Sequence, residues 1–150
     1  LDVTATMTNV RPSCNDTGEK IYAEASFDVL GHRTDTRGAR SVTLPYYAVV
    51  TQAGDNVVSK RVGQVTLQFA DGQARASASG RAGAFVDGNL ARLPDDIREK
   101  ITRRRDPGDA DAAIDPLSDP AVKAAVARAS FELLVGFQLT DAQLQYNATR

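Results

Sequence analysis

The side chains best suited to chemistry crowd one stretch near the middle of the chain. Asp106, Asp109, Asp111 and Asp115 lie in the run DPGDADAAIDP, and loop carboxylates are the oxygen ligands that hard cations require. The spacing lacks the glycine and terminal glutamate of a calcium loop, so the run reads as a solvated acidic linker and no metal is expected. Just before it stand Arg103, Arg104 and Arg105, a cation cluster of the kind that holds a phosphate or an anionic lipid headgroup. Three arginines fall below the usual size for that role. A solvated helix end, neutralised by the nearby aspartates, is the plainer reading. His32 is the only histidine, in a polar stretch and with no second histidine to join it, so it reads as a solvated loop residue. The sequence holds no G-x-S-x-G elbow, P-loop or dinucleotide fingerprint, and nothing singles out one pair of carboxylates for acid–base work. The expectation is a protein that is not an enzyme and carries no cofactor. A pocket gathering His32 with two or more carboxylates would revive the catalytic reading.

Binding chemistry is better represented. Tyr46 and Tyr47 are adjacent in LPYYAVV and point to opposite faces if that segment is a strand. One of them then lies on the outside, where an aromatic on an otherwise wet sheet is typical of a partner-binding surface. The competing expectation is that a helical segment covers that tyrosine within the chain. Tyr46, Tyr47, Arg103, Arg104 and Arg105 are therefore the candidate partner-binding residues.

The elements that must position these residues are mostly strands. The clearest is the closing stretch SFELLVGFQLTDAQLQY, in which Phe131, Leu133, Val135, Phe137 and Leu139 alternate with Ser130, Glu132, Gly136 and Gln138. That is the period of a strand with one buried face; Leu134 breaks the polar face, which suggests a covered outer side. Thr140 followed by Gln143 is a capping-box pattern for a short helical turn, with Leu139, Leu144 and Tyr146 expected to tuck it against the sheet. Val3, Ala5 and Met7 alternate with threonines and read as a strand that Pro12 and the run from Ser13 to Gly18 bring to an end. Ile21 to Val29 alternates cleanly, the antiparallel pattern of one dry face and one wet one. GHRTDTRGAR follows as a flexible connection. Val42 to Thr51 is apolar on both sides; Pro45 lacks an N–H and so belongs at an edge or a bulge. Val57 and Val58 begin a return that Lys60 and Arg61 interrupt before Val65, Leu67 and Phe69 resume it. From Gln73 to Val86 small residues dominate, giving a strand over about Ala74 to Ser79 whose continuation is left open, and the least stable part of the sheet. Two helices come next: one opened by Pro94 with Asp95 and Asp96, and one capped by Asp119 with Pro120 at its first position. Their apolar stripe is Ile97, Ile101, Val122 and Val126.

Composition bounds the class. The chain has 150 residues, 42% hydrophobic and 25% charged, with a formal charge of −1. That describes an ordinary globular chain and offers no electrostatic case for nucleic acid, which draws on a clear basic excess. No apolar run approaches the roughly 20 residues needed to span a bilayer as a helix. The single cysteine, Cys14, reads as a small buried hydrophobe near a strand end, with a link to another chain as the alternative. The chain opens on Leu1 rather than Met, which points to a processed product or a fragment, with any signal peptide or lipid anchor upstream. Asn15-Asp16-Thr17 and Asn147-Ala148-Thr149 fit the glycosylation pattern, which matters only in a glycosylating source.

Three segments carry a resemblance: LPYYAVV, VTLQFADG and FELLVGFQLTDAQLQYN. Together they resemble an uncharacterised family of alphaproteobacterial cell-envelope proteins with a proline-aromatic strand, an acidic-glycine turn and a closing V-G-F-Q-L-T-x-x-Q-L-x-Y-N motif. Cys14 falls where such proteins place a cysteine. The resemblance implies a lipoprotein whose acylated cysteine would precede Leu1, held at the membrane on the periplasmic side. It covers most of the chain except Asp87 to Ala129, where family members are shorter, and it implies no particular activity.

These readings combine into a single mainly-β domain over residues 1–150. It is a fibronectin-III or immunoglobulin-like β-sandwich of about seven strands, with a two-helix insertion at about 90–129 before the last long strand. An open barrel is the alternative. The expected role is a non-catalytic periplasmic module, an accessory lipoprotein that docks onto a protein partner in an envelope or membrane assembly. The alternative is a carrier for a small apolar ligand such as a lipid, held between the sheet and the inserted helices.

Overall fold

The computed structural model describes residues 2–16, 18–110 and 112–149. Asp111 of the acidic run and Thr17 of the first glycosylation pattern lie outside the described residues. The chain is mainly β. Strands β1 (Val3–Asp16), β2 (Lys20–Arg33) and β5 (Arg75–Asp87) form one antiparallel sheet in the order β1-β2-β5. Strands β3 (Arg40–Gln52), β4 (Asn56–Phe69) and β6 (Phe131–Phe137) form a second in the order β4-β3-β6. Helices α1 (Asp95–Thr102) and α2 (Pro120–Arg128), with a 3-10 turn at Pro116–Ser118, separate β5 from β6, and α3 (Asp141–Ala148) follows.

Period-two alternation turns one face of each sheet inward. Phe27 and Val29 of β2 meet Ala48 of β3, Val65, Leu67 and Phe69 of β4, and Ala82 of β5 in one buried cluster. Each large side chain removed from water there contributes roughly 1.5–3 kcal/mol. Small residues make room for large ones. Gly80 pairs with Phe27 across β2 and β5, and a Cβ added to it would lie 2.6 Å from the Phe27 ring. Gly63 stands in the same relation to Tyr46, its register partner on β3, at 2.5 Å. The alanine- and glycine-rich β5 therefore runs unbroken for 13 residues beside β2, well past Ser79. Its small side chains fit the aromatic rings of its neighbour.

Other boundaries also differ from the sequence reading. Among the described residues there are six strands rather than about seven; Lys60 and Arg61 interrupt the hydrophobic pattern but not β4. The first strand runs through Pro12 to Asp16, because β1 is an edge strand and an edge tolerates a missing N–H. A bulge between Thr8 and Arg11, with Asn9 at φ 52°, resets its register. From Thr8 onward β1 is exposed, and Cys14 with it, so the cysteine is not the buried hydrophobe expected. Pro45 sits in the central strand of its sheet. It is tolerated because the β6 ladder stops at Phe137; only the Gln138 N–H reaches back to the Pro45 carbonyl, at 2.8 Å.

Strand β2 continues to Arg33, so His32 belongs to a strand and not to a loop. Arg33 is 1% exposed and ties one end of the molecule together. Its Nε donates to the Gln73 carbonyl at 2.8 Å and its Nη2 to those of Ala70 at 2.9 Å and Thr36 at 3.0 Å. Its guanidinium lies 5.2 Å from the centre of the Phe69 ring. The β2–β3 loop and the β4–β5 turn are thus held by one buried cation on three carbonyl groups.

At the opposite end lies the helical segment. Asp119 caps α2 by accepting from the Ala121 N–H, with Pro120 at the first position. Ile97, Val122 and Ala125 form a separate small core, with Leu93, Ile101 and Val126 packed around it. The apolar stripe is therefore packed within the segment itself. The Gln52 side chain donates to the Arg128 carbonyl, the Ala53 N–H to the Ser130 carbonyl, and Arg92 to the Gly18 carbonyl. These bonds fix the segment beside the β1–β2 and β3–β4 turns. No helix among the described residues is long and apolar enough to cross a membrane.

Candidate interaction surface

Alternation along β3 separates the two tyrosines. Tyr46 faces the other sheet: its ring meets Phe27 edge-on at 5.1 Å and 78°, and its hydroxyl donates to the Arg81 carbonyl at 2.7 Å. It joins the two layers. Tyr47 points outward and lies along its own sheet, its hydroxyl 2.6 Å from where a Cβ on Gly136 would stand. Lys60 Nζ is 5.9 Å from the centre of its ring.

Register places more apolar groups around Tyr47. Its partner on β4 is Val62, and Val49 pairs with Leu134 of β6 on the same face. Val62 is 60% exposed and Leu134 48%; the covered outer side suggested by Leu134 is not found. Tyr47, Val49, Val62 and Leu134 therefore make an apolar patch across all three strands, with Lys60 and Glu132 at its margins. Scattered exposed hydrophobes are normal, whereas a contiguous group with an aromatic centre marks a contact surface. Val62 escaped the sequence reading because Lys60 and Arg61 hid the alternation. The outer face of the first sheet holds a second aromatic group the sequence reading passed over. Tyr22 and the exposed Phe85 lie 4.9 Å apart, and the Tyr22 hydroxyl donates to Glu24, which raises its pKa.

The arginines lie at and just beyond a helix end. Helix α1 ends at Thr102, so Arg103 is its C-cap and Arg104 and Arg105 lie beyond the helix in irregular chain. Arg103 and Arg105 line a cleft of about 450 Å3 together with Asp96, Glu99, Asp115 and Asp119, so carboxylates face these cations. Arg104 is not among the lining residues. Asp109 accepts from the Asp106 N–H at 2.9 Å and Asp115 from the Leu117 N–H at 3.0 Å. These carboxylates close local turns. Among the described residues no three histidines, cysteines or acids stand together in a way that could hold a metal ion. His32 lies at an exposed strand position opposite Thr4 and Arg75.

Helix α3 opens with the expected capping box, Thr140 accepting from the Gln143 N–H while the Gln143 side chain accepts from the Thr140 N–H. It does not tuck in as expected: none of its residues is buried, and Leu144 and Tyr146 are exposed. The turn chemistry starts the helix, but its apolar groups do not share one face. A groove of about 790 Å3 remains between α3 and the starts of β1 and β3, with Ala5, Leu44, Phe137, Leu139 and Tyr146 in its walls.

No family model matches the chain, and no curated protein or solved structure does so either.

Proposed function

We propose that this chain is a non-catalytic module of the bacterial envelope that docks onto a larger protein assembly through the outer face of β4-β3-β6. The observation that carries the reading is the patch of Tyr47, Val49, Val62 and Leu134, in which Val62 is 60% exposed beside an aromatic ring. An anchor residue with aliphatic neighbours and a charged margin is the anatomy of a protein contact. The strand orders β1-β2-β5 and β4-β3-β6 support the finer fibronectin-III or immunoglobulin-like reading, since β1, β2 and β5 lie as strands A, B and E do and β4, β3 and β6 as C′, C and F do. The periplasmic location and the lipid anchor upstream of Leu1 rest on the resemblance of the closing motif. The test is copurification from native membranes in mild detergent. One defined partner is retained by the wild-type chain and lost with Val62→Lys. A chain that copurifies with nothing removes the reading.

A second reading, a carrier of a small apolar ligand, is favoured by the groove beside α3 rather than by the helical insertion. Native mass spectrometry of the protein from its own membranes would show a bound lipid. A bare mass would end this reading.

A further inference from the structure

We infer that the chain forms a symmetric dimer by pairing β6 with β6 of a second copy. The inference goes beyond the docking reading and does not depend on it. Strand β6 ends its sheet, and among the described residues no strand lies on its far side. The other edges carry the usual deterrents to pairing. β1 has Pro12 and a bulge. β4 has a bulge and the pair Lys60-Arg61. β5 has Arg75 and Arg81. In β6, Phe131–Phe137, the one charge is Glu132, and Phe131, Leu133, Val135 and Phe137 are only half-buried.

The backbone fixes which groups are free. At the two ends of the β3–β6 ladder the Gln138 N–H donates to the Pro45 carbonyl and the Ala53 N–H to the Ser130 carbonyl. Even-numbered residues of β6 thus point their backbone groups at β3. In an antiparallel ladder the alternate residues point the other way. The N–H and C=O groups of Phe131, Leu133, Val135 and Phe137 face the open edge.

FELLVGF is self-complementary in that arrangement. A two-fold axis through Leu134 pairs Phe131 with Phe137 and Leu133 with Val135. These are the residues with free backbone groups, and the pairing makes about eight hydrogen bonds between the copies. Their side chains face inward, aromatic on aromatic and aliphatic on aliphatic. Glu132 falls opposite Gly136, so no like charges meet. Leu134 meets its own copy on the outer face, joining the two apolar patches.

Sedimentation against concentration tests this on the full chain. The wild type should pass from one copy to two as concentration rises. Leu134→Lys and Leu134→Glu should each stay monomeric, because the axis sets each charge against itself. An equimolar mixture of the two should recover the dimer. Circular dichroism and thermal midpoints verify that both variants fold; Leu134 is 48% exposed, so its replacement spares the core. Should they not fold, Leu134→Cys in a Cys14→Ser background should oxidise to a covalent dimer. A wild type that stays monomeric overturns the inference, as does a mixture that fails to recover or dimers formed by both charged variants. Val62→Lys should dimerise normally, which separates this result from failure of the docking face.

Discussion

Gly80→Ala is the sharpest test of how the sheets are packed. The added methyl would lie 2.6 Å from Phe27 Cζ, where the ring is fully buried. Neither side can yield cheaply: Phe27 sits in the main core cluster, and Gly80 lies in the middle of β5, which pairs with β2 along its whole length. Forcing a methyl into a packed core costs about 1–3 kcal/mol. Alanine returns about 0.4–1 kcal/mol by restricting the unfolded chain. The net expectation is a loss of about 1–2 kcal/mol, or about 2–8 °C in Tm for a chain of this size. Gly136→Ala is the control. Its methyl would meet the Tyr47 hydroxyl at the same 2.6 Å, but Tyr47 is on an outer face and its ring can swing into solvent. That variant should stay within about 0.5 kcal/mol of wild type. Urea unfolding at low protein concentration, where the chain is monomeric, compares the two. Phe27→Leu combined with Gly80→Ala should show a favourable coupling of at least about 0.5 kcal/mol. If Gly80→Ala is as stable as wild type, the account of ring-over-glycine packing fails.

Three further outcomes follow from the same structure. Arg33→Met should lower stability by about 3 kcal/mol, because three carbonyls lose a charged donor; urea unfolding measures it, and a loss below 1 kcal/mol refutes the clamp. Asp35 is held at about 2, against an ordinary 3.8, chiefly by its hydrogen bond from the Arg37 side chain. Asp2 is lowered by its hydrogen bond from Arg40. Both carboxylates titrate lower in the folded chain, so their contribution is present above about pH 4 and is lost as pH falls toward about 2. Asp35→Asn with Asp2→Asn should flatten that acid limb, weakly in high salt because both pairs are exposed. Cys14, exposed on β1, should react with a thiol reagent in the native protein as fast as in the unfolded one; slow native labelling would contradict its placement.

Much of this fold was legible in the sequence wherever one rule decided the outcome. Alternation alone located β2 and β6, and side-chain chemistry located the caps at Asp119 and Thr140. The reading failed where neighbours decide. Gly80 looks weak in isolation and becomes strong opposite Phe27, a fact of register invisible along one strand. Pro12 reads as a stop until β1 is known to be an edge, and Pro45 as an edge marker until β6 is known to end beside it. Arg33 read as part of a loop, because nothing local reveals three carbonyls converging from two other segments. For the surface, alternation set Tyr46 and Tyr47 on opposite faces without deciding which lies outside and read Leu134 as a covered position, whereas Val62 needed the β3–β4 register to bring it beside Tyr47. Of the arginine cluster, Arg103 and Arg105 share one cleft with four carboxylates, a grouping that the order of residues along the chain did not reveal.

The most direct measurement of the docking role is site-specific photo-crosslinking in native membranes. A photoreactive side chain at position 62, in the outer patch of the second sheet, is compared with one at position 77, on the outer face of β5. The account predicts one discrete heterologous adduct from position 62, abolished by Tyr47→Ala, and none from position 77. The same adducts from both positions, or none from position 62, would contradict it.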